Sequence, residues 1–397
     1  MSNKLEAYYG LPNEVRFCKK CVISNQRPSS TIEFKNEKGV KKKVINFNDD
    51  GVCSACIYHE EKETGIDWEE RDFNLRTLLN KFKKNDGSYD VIVPGSGGKD
   101  SSFTAHILKS KYGMNPLTVT WAPHLYTDIG WKNMQAWTHI GGLDNILYSP
   151  NGILHKELTK NAFHNLLHPF QPFIIGQRII GPAMAKKFGV KLVMYGENQA
   201  EYGNSIEENT NPIMNMDFFS SEDSLSMNFG GKSMLEYIND GKYTKNDFVP
   251  YIAPDKQDLI DNGVEVHYLG YYLRWDPQEC YYYSAENTGF QANPVRTEGT
   301  YSKYSSIDDK VDPFHYFTTL IKFGIGRCTY DAAQEVRHDK ITREEACYLV
   351  DKYDAEFPSI YFKEFLKYID TSESEFWETI DKHRSPHIWK KVDDVWR

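Results

Sequence analysis

The sequence predicts an α/β protein in which a doubly wound parallel sheet follows a small cysteine-bearing module and precedes a helical C-terminal region. From Tyr89 onward, short β-branched runs alternate with helical stretches. Two close cysteine pairs lie within residues 1–66, and after Pro277 the pattern is mainly helical. Alternating strands and helices favour a parallel sheet with helices on both faces. A chain of 397 residues is long enough for two or three folding units.

The composition excludes several classes of protein. With 40% hydrophobic and 14% aromatic residues, the chain is too apolar for disorder and too rich in aromatic residues for a fibre. Lys plus Arg is 47 and Asp plus Glu is 56, and the resulting charge of −9 disfavours a general nucleic-acid binder. The best apolar stretch, 173–185, is interrupted by Gln177 and Arg178 and is too short for a bilayer. Because the first residues contain no apolar signal region, we expect a cytoplasmic protein without membrane contact.

Shifts in composition and pattern divide the chain into four regions. They are a cysteine module over 1–66, an amphipathic connecting helix within 67–88, a sheet domain over 89–276 and a helical region over 277–397. Residues 198–250 interrupt the rhythm of strands and helices, and we interpret them as an insertion over the carboxyl edge of the sheet. The polar and aromatic loop 291–312 is too long for an idle connection. In the cysteine module, 31–47 is hairpin-like with a turn at 36–39.

Hydrophobic periodicity places the regular elements. The predicted strands are 90–93, 117–121, 145–148, 191–195 and 264–273. The predicted helices after the connecting helix are 101–112, 129–140, 152–167, 174–188, 278–288, 313–323, 328–337, 342–354, 359–369 and 373–382. In a doubly wound sheet, ligands bind outside the carboxyl ends of the strands, so we expect the site at that edge.

The most informative segment joins the first strand to a helix and reads Pro94-Gly-Ser-Gly-Gly-Lys-Asp-Ser101. The adjacent glycines Gly97 and Gly98 let the backbone approach an anion, and helix N–H groups with the hydroxyls of Ser96 and Ser101 point at it. A phosphate chain is the natural ligand. Because Asp100 would repel such an anion, we expect a Mg²⁺ ion between its carboxylate and the phosphates.

Spacing distinguishes this loop from other nucleotide loops. A Walker loop ending at Gly231-Lys-Ser233 fails because Ser226 occupies the position of its first glycine, and a dinucleotide fingerprint starting at Gly95 fails at Asp100. The segment resembles the loop of the PP-loop ATP pyrophosphatases, which cleave ATP between the α and β phosphates and transfer AMP to a substrate oxygen. The resemblance implies a PP-loop (HUP-like) fold of the adenine nucleotide alpha hydrolase type, and ATP held by Gly95, Ser96, Gly97, Gly98, Lys99, Asp100 and Ser101.

Further side chains are expected at the same edge of the sheet. Trp121 ends the second strand. Two interpretations of its ring are open: it contacts adenine, or it packs in the hydrophobic core. Gly196, Glu197 and Asn198 follow a later strand. Because an unpaired carboxylate at a strand end is costly to bury, a functional role is favoured for Glu197.

The cysteines form two chelating pairs. Cys18 and Cys21 are spaced C-x-x-C, as are Cys53 and Cys56, with 31 residues between the pairs. Four thiolates in two such pairs are typical of tetrahedral Zn²⁺, and a closed sulfur shell predicts a structural metal. The remaining cysteines, which stand alone, are Cys280, Cys328 and Cys347.

A phosphate loop combined with zinc leaves three functions open. In tRNA thiolation, persulfide sulfur attacks the activated base, which requires reactive cysteines near ATP; the isolated cysteines and the acidic charge disfavour it. In amidation, ammonia attacks an adenylated carbonyl and no cysteine is needed. A non-catalytic scaffold that binds zinc and nucleotide would leave the loop 291–312 without a purpose.

Motifs over nearly the whole chain, from residue 16 to about 370, resemble the N-acetyl sugar amidotransferase family. The segments that carry the resemblance are 17–21, 51–56, 95–101, 195–198, 201–203, 275–279, 296–309 and 323–327. Members of this family convert an acetamido group of a sugar into an acetamidino group in bacterial surface polysaccharide and flagellar glycan pathways, including lipopolysaccharide and pseudaminic or legionaminic acid. The resemblance therefore implies an enzyme that releases AMP and pyrophosphate.

The resemblance also implies roles for individual residues. Asp100, Lys99, Glu197 and Arg327 are the expected catalytic residues. Trp121 and Gly196 join the loop as residues expected to contact ATP. The expected substrate-binding residues are Asn198, Glu201, Tyr202, Arg296, Glu298, Tyr301, Lys303, Tyr304, Asp308 and Asp309. Lys99, Arg296, Lys303 and Arg327 are candidates for the positive charge that stabilises the reacting phosphorus.

Ammonia must be supplied to such a reaction, because at neutral pH most of it is ammonium. The chain begins Met1-Ser2 and contains no convincing glutaminase triad. We therefore expect a separate glutaminase subunit as partner, as the resemblance also implies.

Overall fold

The computed structural model describes residues 8–35, 40–204 and 211–397, and within them five strands form one parallel sheet. The nine strands of the described residues are β1 (Val91–Pro94), β2 (Pro116–Trp121), β3 (Asp144–Tyr148), β4 (Leu192–Tyr195), β5 (Asn228–Phe229), β6 (Lys232–Ser233), β7 (Glu265–Tyr268), β8 (Lys391–Val392) and β9 (Val395–Trp396). The sheet has the order β3-β2-β1-β4-β7, and the other strands form two small antiparallel pairs. The order reverses at β1, which is the switch point where ligands bind in such sheets.

Helices cover both faces of the sheet. The helices of the described residues are α1 (Ser54–Thr64), α2 (Trp68–Phe82), α3 (Lys99–Ser110), α4 (Asp128–His139), α5 (Gly152–Leu166), α6 (Gln171–Phe188), α7 (Met234–Asn239), α8 (Lys256–Asp261), α9 (Leu269–Tyr272), α10 (Pro277–Thr288), α11 (Asp312–Phe323), α12 (Arg327–Arg337), α13 (Arg343–Tyr353), α14 (Phe362–Tyr368) and α15 (Glu373–Lys382). Short 3-10 turns lie at Tyr8–Gly10, Glu33–Lys35, Gln199–Tyr202, Met216–Phe218, Ser224–Ser226 and Val249–Tyr251. The predicted fold class is confirmed.

The two faces of the sheet bury separate cores. On one face, Ile175 and Ile179 of α6 pack against Ile92 of β1. On the other face, Leu108 of α3 belongs to the same core as Val91 of β1. The alternation of strand side chains explains this division, because neighbouring residues of β1 point to opposite faces. As a result α3 and α6 reach the carboxyl edge from opposite sides.

The predictions of individual elements differ from the structure at a few places. The predicted strand 264–273 is wrong in its second half, because the strand ends at Tyr268 and α9 follows directly. Aromatic and branched residues favoured a strand there, but Gly270 approaches the backbone oxygen of Gly196, and this close contact is made by a helical turn. Helix α1 was not predicted. The predicted turn at 36–39 lies outside the described residues.

The cysteine module and the C-terminal helices share a core. The four paired cysteines pack with Ile325 and with Ala332, Ala333 and Ala346 of α12 and α13. Arg343 of α13 donates to the carbonyl oxygens of Cys18 and Cys21 at 3.3 and 3.2 Å. Within the described residues, no helix combines the length and the apolarity that crossing a membrane requires.

Candidate functional site

The glycine loop between β1 and α3 has the conformation that its sequence predicts. Gly97 has a φ of +81°, and a Cβ atom there would lie 2.9 Å from the backbone oxygen of Asn133. A Cβ on Gly95 would lie 2.2 Å from the Cβ of Ser101. Both positions therefore require glycine. Gly98 is the N-cap of α3, so the first N–H groups of the helix face the loop without a capping side chain.

Three cavities meet at Asp100. The sheet cavity, of about 320 Å³, lies between the loop, the end of β4 and α6. The helical cavity, of about 230 Å³, lies between the start of α3, the start of α10 and helix α12. The loop cavity, of about 180 Å³, lies between Ser96, Asn133 of α4 and residues 304–308. A reacting group next to Asp100 is thus accessible from three directions.

Two carboxyl groups and one lysine lie at this junction. Lys99 Nζ is 2.5 Å from Asp100 Oδ2, and Asp100 Oδ1 is buried without a hydrogen-bond partner among the described residues. Burial raises the pKa of Glu197 to about 7, the charge of Asp100 adds to this rise, and Lys99 opposes it. Two oxygen donors that repel each other suit a hard divalent cation.

Arg327 is the second cation at the junction. It begins α12 and lines both the helical and the loop cavities. Its guanidinium lies 3.1 Å from Asp331 and above the ring of Tyr316. Although burial opposes it, the charge of Asp331 keeps the pKa of Arg327 well above its usual value. Arg327 is therefore a fixed positive charge facing the cavities.

Several predicted residues line the cavities. Gly196 lines the sheet cavity, and Tyr202, whose hydroxyl bonds to Glu197, lines both the sheet and the helical cavities. Tyr304 lies between the helical and the loop cavities and stacks on Tyr281 with ring centroids 4.5 Å apart. Asp308 lines the loop cavity; burial raises its pKa, and a hydrogen bond from Ser96 opposes the rise.

Other predicted residues make structural contacts instead. Both oxygens of Asp309 accept backbone N–H groups, and Oδ2 also bonds to His124 Nδ1 at 2.8 Å. Arg296 forms a two-pronged ion pair with Glu356 at 2.5 and 2.7 Å. Glu298 accepts N–H groups of residues 359 and 360.

The remaining predicted residues also lie apart from the junction. Tyr301 donates to Glu335 at 2.8 Å, and Lys303 is exposed. Asn198 is buried, and its Oδ1 accepts the N–H of Ala200. Glu201 is buried in an ion pair with Lys62.

Trp121 lies in the core rather than along the cavities. It is 2% exposed, and its ring stacks on Tyr148 with centroids 5.8 Å apart. Gly176 of α6 packs against the same ring, since a Cβ there would lie 2.2 Å from it. Trp121 therefore packs against α6 and helps to hold that helix in place.

The four paired cysteines form a potential metal site. Their sulfur atoms all lie within 4.8 Å of one another, with Cys18–Cys56 at 3.9 Å and Cys21–Cys53 at 3.7 Å. Backbone N–H groups of Lys20, Cys21 and Cys53 point at the sulfur of Cys18. This set of donors stabilises thiolates, which are the form that binds metal.

Gln177 and Arg178 are among the residues of the sheet cavity that sequence reasoning missed. Both are polar interruptions of the most apolar stretch of the chain, and that interruption is the signal that could have identified them. It also missed Lys62, which has no distinguishing spacing in the sequence.

Comparison with known proteins gives one family match. Residues 298–397 match the family described as the C-terminal domain of WbpG-like LPS biosynthesis proteins, which is about a quarter of the chain. An uncharacterized protein of Methanocaldococcus jannaschii is 33% identical over 78 residues, covering 20% of this chain and 27% of that protein. The chain thus spans about a quarter of the length of this curated relative.

Comparison with solved structures finds three to which the chain is similar. The NH3-dependent NAD synthetase from Campylobacter jejuni, in complex with nitrate, is 16% identical with a TM-score of 0.27, over 32% of this chain and 56% of that one. The NMN synthetase from Francisella tularensis is 12% identical with a TM-score of 0.31, over 73% and 93% of the two chains. The U34-tRNA thiolase NcsA from Methanococcus maripaludis, with its 4Fe-4S cluster, is 13% identical with a TM-score of 0.31, over 84% and 88%. At these scores the similarity supports no statement about activity.

Proposed function

We propose that the chain is the synthetase subunit of an ATP-dependent N-acetyl sugar amidotransferase of surface glycan biosynthesis. The observation that carries the proposal is the meeting of three cavities at Asp100, beside a glycine loop suited to phosphates. Three cavities provide separate places for ATP, an acetamido sugar and ammonia around one reacting atom. The match of residues 298–397 to an LPS biosynthesis family supports a glycan substrate.

The reaction consists of two displacements. The carbonyl oxygen of the acetamido group attacks the α-phosphorus of ATP, the bond to the bridging oxygen breaks, and pyrophosphate leaves with the electron pair while the amide loses its N–H proton. The product is an O-adenylyl imidate. Ammonia then adds to the imidate carbon, AMP leaves with the C–O electron pair, and loss of one proton gives the acetamidino group.

The sheet cavity is the proposed ATP site. Ser96, Gly97, Gly98 and Ser101 would hold the β and γ phosphates through N–H groups and hydroxyls. Asp100 and Glu197 fit a Mg²⁺ ion, because one Asp100 oxygen has no partner among the described residues and the pKa of Glu197 is raised beside it. When bound, Mg²⁺ supplies positive charge to the phosphates.

The helical cavity is the proposed sugar site. It is lined by Ser302, Tyr304 and Ser305, which carry hydroxyls, and by Gln278, which carries a carboxamide. Such groups suit the hydroxyls and the amide of an acetamido sugar. Arg327 and Lys99, at the boundary with the loop, would stabilise the charge that develops on the reacting phosphate.

Zn²⁺ is the proposed ion of the cysteine site. A tetrahedral ion with Zn–S bonds of about 2.3 Å separates its sulfurs by roughly 3.8 Å. Two of the six sulfur–sulfur separations, Cys18–Cys56 at 3.9 Å and Cys21–Cys53 at 3.7 Å, agree with this value, and the others are at most 4.8 Å. A cubane cluster would hold the thiolates further apart, because each binds a different iron.

A separate glutaminase is the proposed source of ammonia. The thiolation alternative would require a thiolate beside the loop, where Cys280 of α10 lies close enough to Asp100 for their charges to interact. Burial first, and then the charge of Asp100, raises the pKa of Cys280 well above its usual value. That thiol therefore remains protonated and is a poor persulfide carrier.

Product analysis tests the proposal. The purified chain is incubated with ATP, Mg²⁺, ammonium at high pH and a panel of acetamido sugars, with parallel reactions containing glutamine or containing tRNA and a sulfur donor. We expect AMP, pyrophosphate and a sugar lighter by the difference between an oxygen atom and an NH group. Formation of ADP and orthophosphate, or of AMP only with tRNA and sulfur, would contradict the proposal. Turnover with glutamine alone would contradict the separate glutaminase.

A further inference from the structure

Helix α6 contains two polar residues within an otherwise apolar stretch. Gln177 and Arg178 interrupt the run 173–185, and most of the neighbouring side chains of the helix are buried. Both residues line the sheet cavity together with Ser96 and Ser101 of the phosphate loop. The polar interruption thus lies where the helix passes the carboxyl edge of the sheet.

Close packing holds α6 in this place. A Cβ on Gly176 would lie 2.2 Å from the ring of Trp121, and one on Gly181 would lie 2.6 Å from Cγ of Pro94. The two glycines let the helix lie directly on the ends of β1 and β2. Arg178, two residues after Gly176, is therefore fixed relative to the loop that follows β1.

Arg178 and the phosphate loop approach the cavity from opposite faces of the sheet. Helix α6 belongs to the core on one face, through Ile175 and Ile179. Helix α3, whose N-terminus carries the loop, belongs to the core on the other face. A phosphate chain that starts at the loop and runs across the edge of the sheet therefore leads toward Arg178.

Among the described residues, the contacts of Arg178 include no negatively charged group. Its Nη1 lies 3.7 Å from the sulfur of Met214, and its guanidinium is 5.9 Å from the ring centre of Tyr195. Among the described residues it forms no ion pair with a carboxylate, whereas Lys99 is paired with Asp100 and Arg327 with Asp331. Because the guanidinium of Arg178 is half-buried and has no carboxylate partner among the described residues, it is available to an anionic ligand that enters the sheet cavity.

We infer that Arg178 binds the α-phosphate of ATP, and the phosphate of AMP after cleavage, from the side opposite to the loop. The inference rests on the proposed ATP cleavage. The loop holds the β and γ phosphates, which leave together as pyrophosphate. The planar guanidinium donates two parallel N–H groups to the phosphoryl oxygens that remain with the nucleotide. These oxygens gain charge as the sugar oxygen attacks, so the contact strengthens in the transition state.

Binding measurements without any sugar test the inference. Titration calorimetry is performed with AMP and, separately, with pyrophosphate and Mg²⁺, on the wild type and on Arg178→Lys and Arg178→Gln. We expect the affinity for AMP to fall about 10- to 100-fold in Arg178→Gln and less in Arg178→Lys, because hydrogen bonds to charged groups are lost. The affinity for pyrophosphate is expected to stay within about twofold.

Two further variants complete the design. Ser101→Ala, in the loop, is expected to show the opposite pattern, with weaker binding of pyrophosphate and unchanged binding of AMP. Arg76→Ala, which removes an exposed arginine paired with Asp72, is the matched control and should change neither. Thermal melts of each variant confirm that it is folded.

The outcomes separate the inference from the proposed function. Wild-type affinity for AMP in folded Arg178→Gln, or an equal loss of AMP and pyrophosphate binding, would overturn the role of Arg178. A wild type that binds neither ligand would overturn both proposals. If the variants show the expected pattern but no acetamido sugar is converted, the inference stands and the sugar assignment fails.

Discussion

Lys62 and Glu201 form a buried ion pair, with Nζ 2.9 and 3.1 Å from the two carboxylate oxygens and side chains 0% and 2% exposed. Lys62 belongs to α1 of the cysteine module, and Glu201 belongs to the turn that follows β4. The same ammonium donates to the carbonyl oxygen of Trp275 at 2.9 Å. The pair therefore connects the cysteine module to the edge of the sheet that carries the site.

Glu201→Gln is expected to destabilise the fold by about 3–5 kcal/mol, because it leaves a buried ammonium without its anion. The free energy of urea unfolding measures this loss. The double variant Lys62→Met/Glu201→Leu should recover much of it, since it buries no charge. A loss below about 1 kcal/mol in Glu201→Gln would show that the pair contributes no more than a surface contact.

Asp100→Asn is expected to lower AMP formation at least about 100-fold, because it removes a carboxylate that is proposed to hold the cation on the phosphates. Because the buried ammonium of Lys99 loses its anion, turnover is measured at a temperature at which a thermal melt shows that the variant is folded. Asp86→Asn, in an exposed turn, is the control and should keep wild-type turnover. AMP formation by Asp100→Asn within a factor of about two would contradict the role of Asp100.

Lys322→Met is expected to stabilise the protein at pH 6 by up to roughly 4 kcal/mol. Burial lowers the pKa of Lys322 to about 7, the charge of Lys42 adds to this, and Glu33 opposes it. In the unfolded chain Lys322 keeps its proton up to about pH 10.5. The free energy of unfolding of the wild type therefore rises as pH increases from 7 to 10.5, and this gain is lost again as pH falls through 7. The advantage of the variant should therefore shrink as pH rises.

Urea unfolding of wild type and Lys322→Met across this pH range measures the effect. The exposed Lys187→Met is the matched control and should show no such pH dependence. A stability difference that is constant with pH would mean that Lys322 keeps its usual pKa.

Cys18→Ser is expected to lose the bound metal and to destabilise the chain by at least about 4 kcal/mol, because folding and metal binding are coupled. Elemental analysis of wild type should give one zinc per chain. The exposed Cys347→Ser is the control and should retain both metal and stability. If wild type instead contains iron and absorbs visible light, the cysteines bind an iron–sulfur cluster and the zinc assignment is wrong. If wild type contains no metal, the cysteines do not form a metal site.

Local patterns made much of the fold predictable. The glycine loop, the strands of the sheet and the cysteine pairs depend on residues close in sequence, so spacing was enough to place them. The strand predicted through residue 273 failed because a contact with Gly196, distant in sequence, decides where the chain turns.

The contacts of the site depend on distant partners and could not be predicted in the same way. Asp309 binds the backbone near His124, and Arg296 binds Glu356, so side chains that suggested substrate contacts serve the fold. In the sequence, Arg178 is distinguished only as a polar residue within an apolar stretch. Its place in the cavity depends on the packing of Gly176 against Trp121.

The shared core of the cysteine module and helices α12 and α13 has a consequence for any attempt to trim the protein. Regions near the two ends of the sequence fold as one piece around the central sheet. A fragment that starts after residue 66 would expose the alanine faces of α12 and α13 to water. Truncations compatible with a folded protein are therefore those that leave both the cysteine module and helices α12 and α13 in place. Cutting the chain at the boundaries between regions of different composition would separate them.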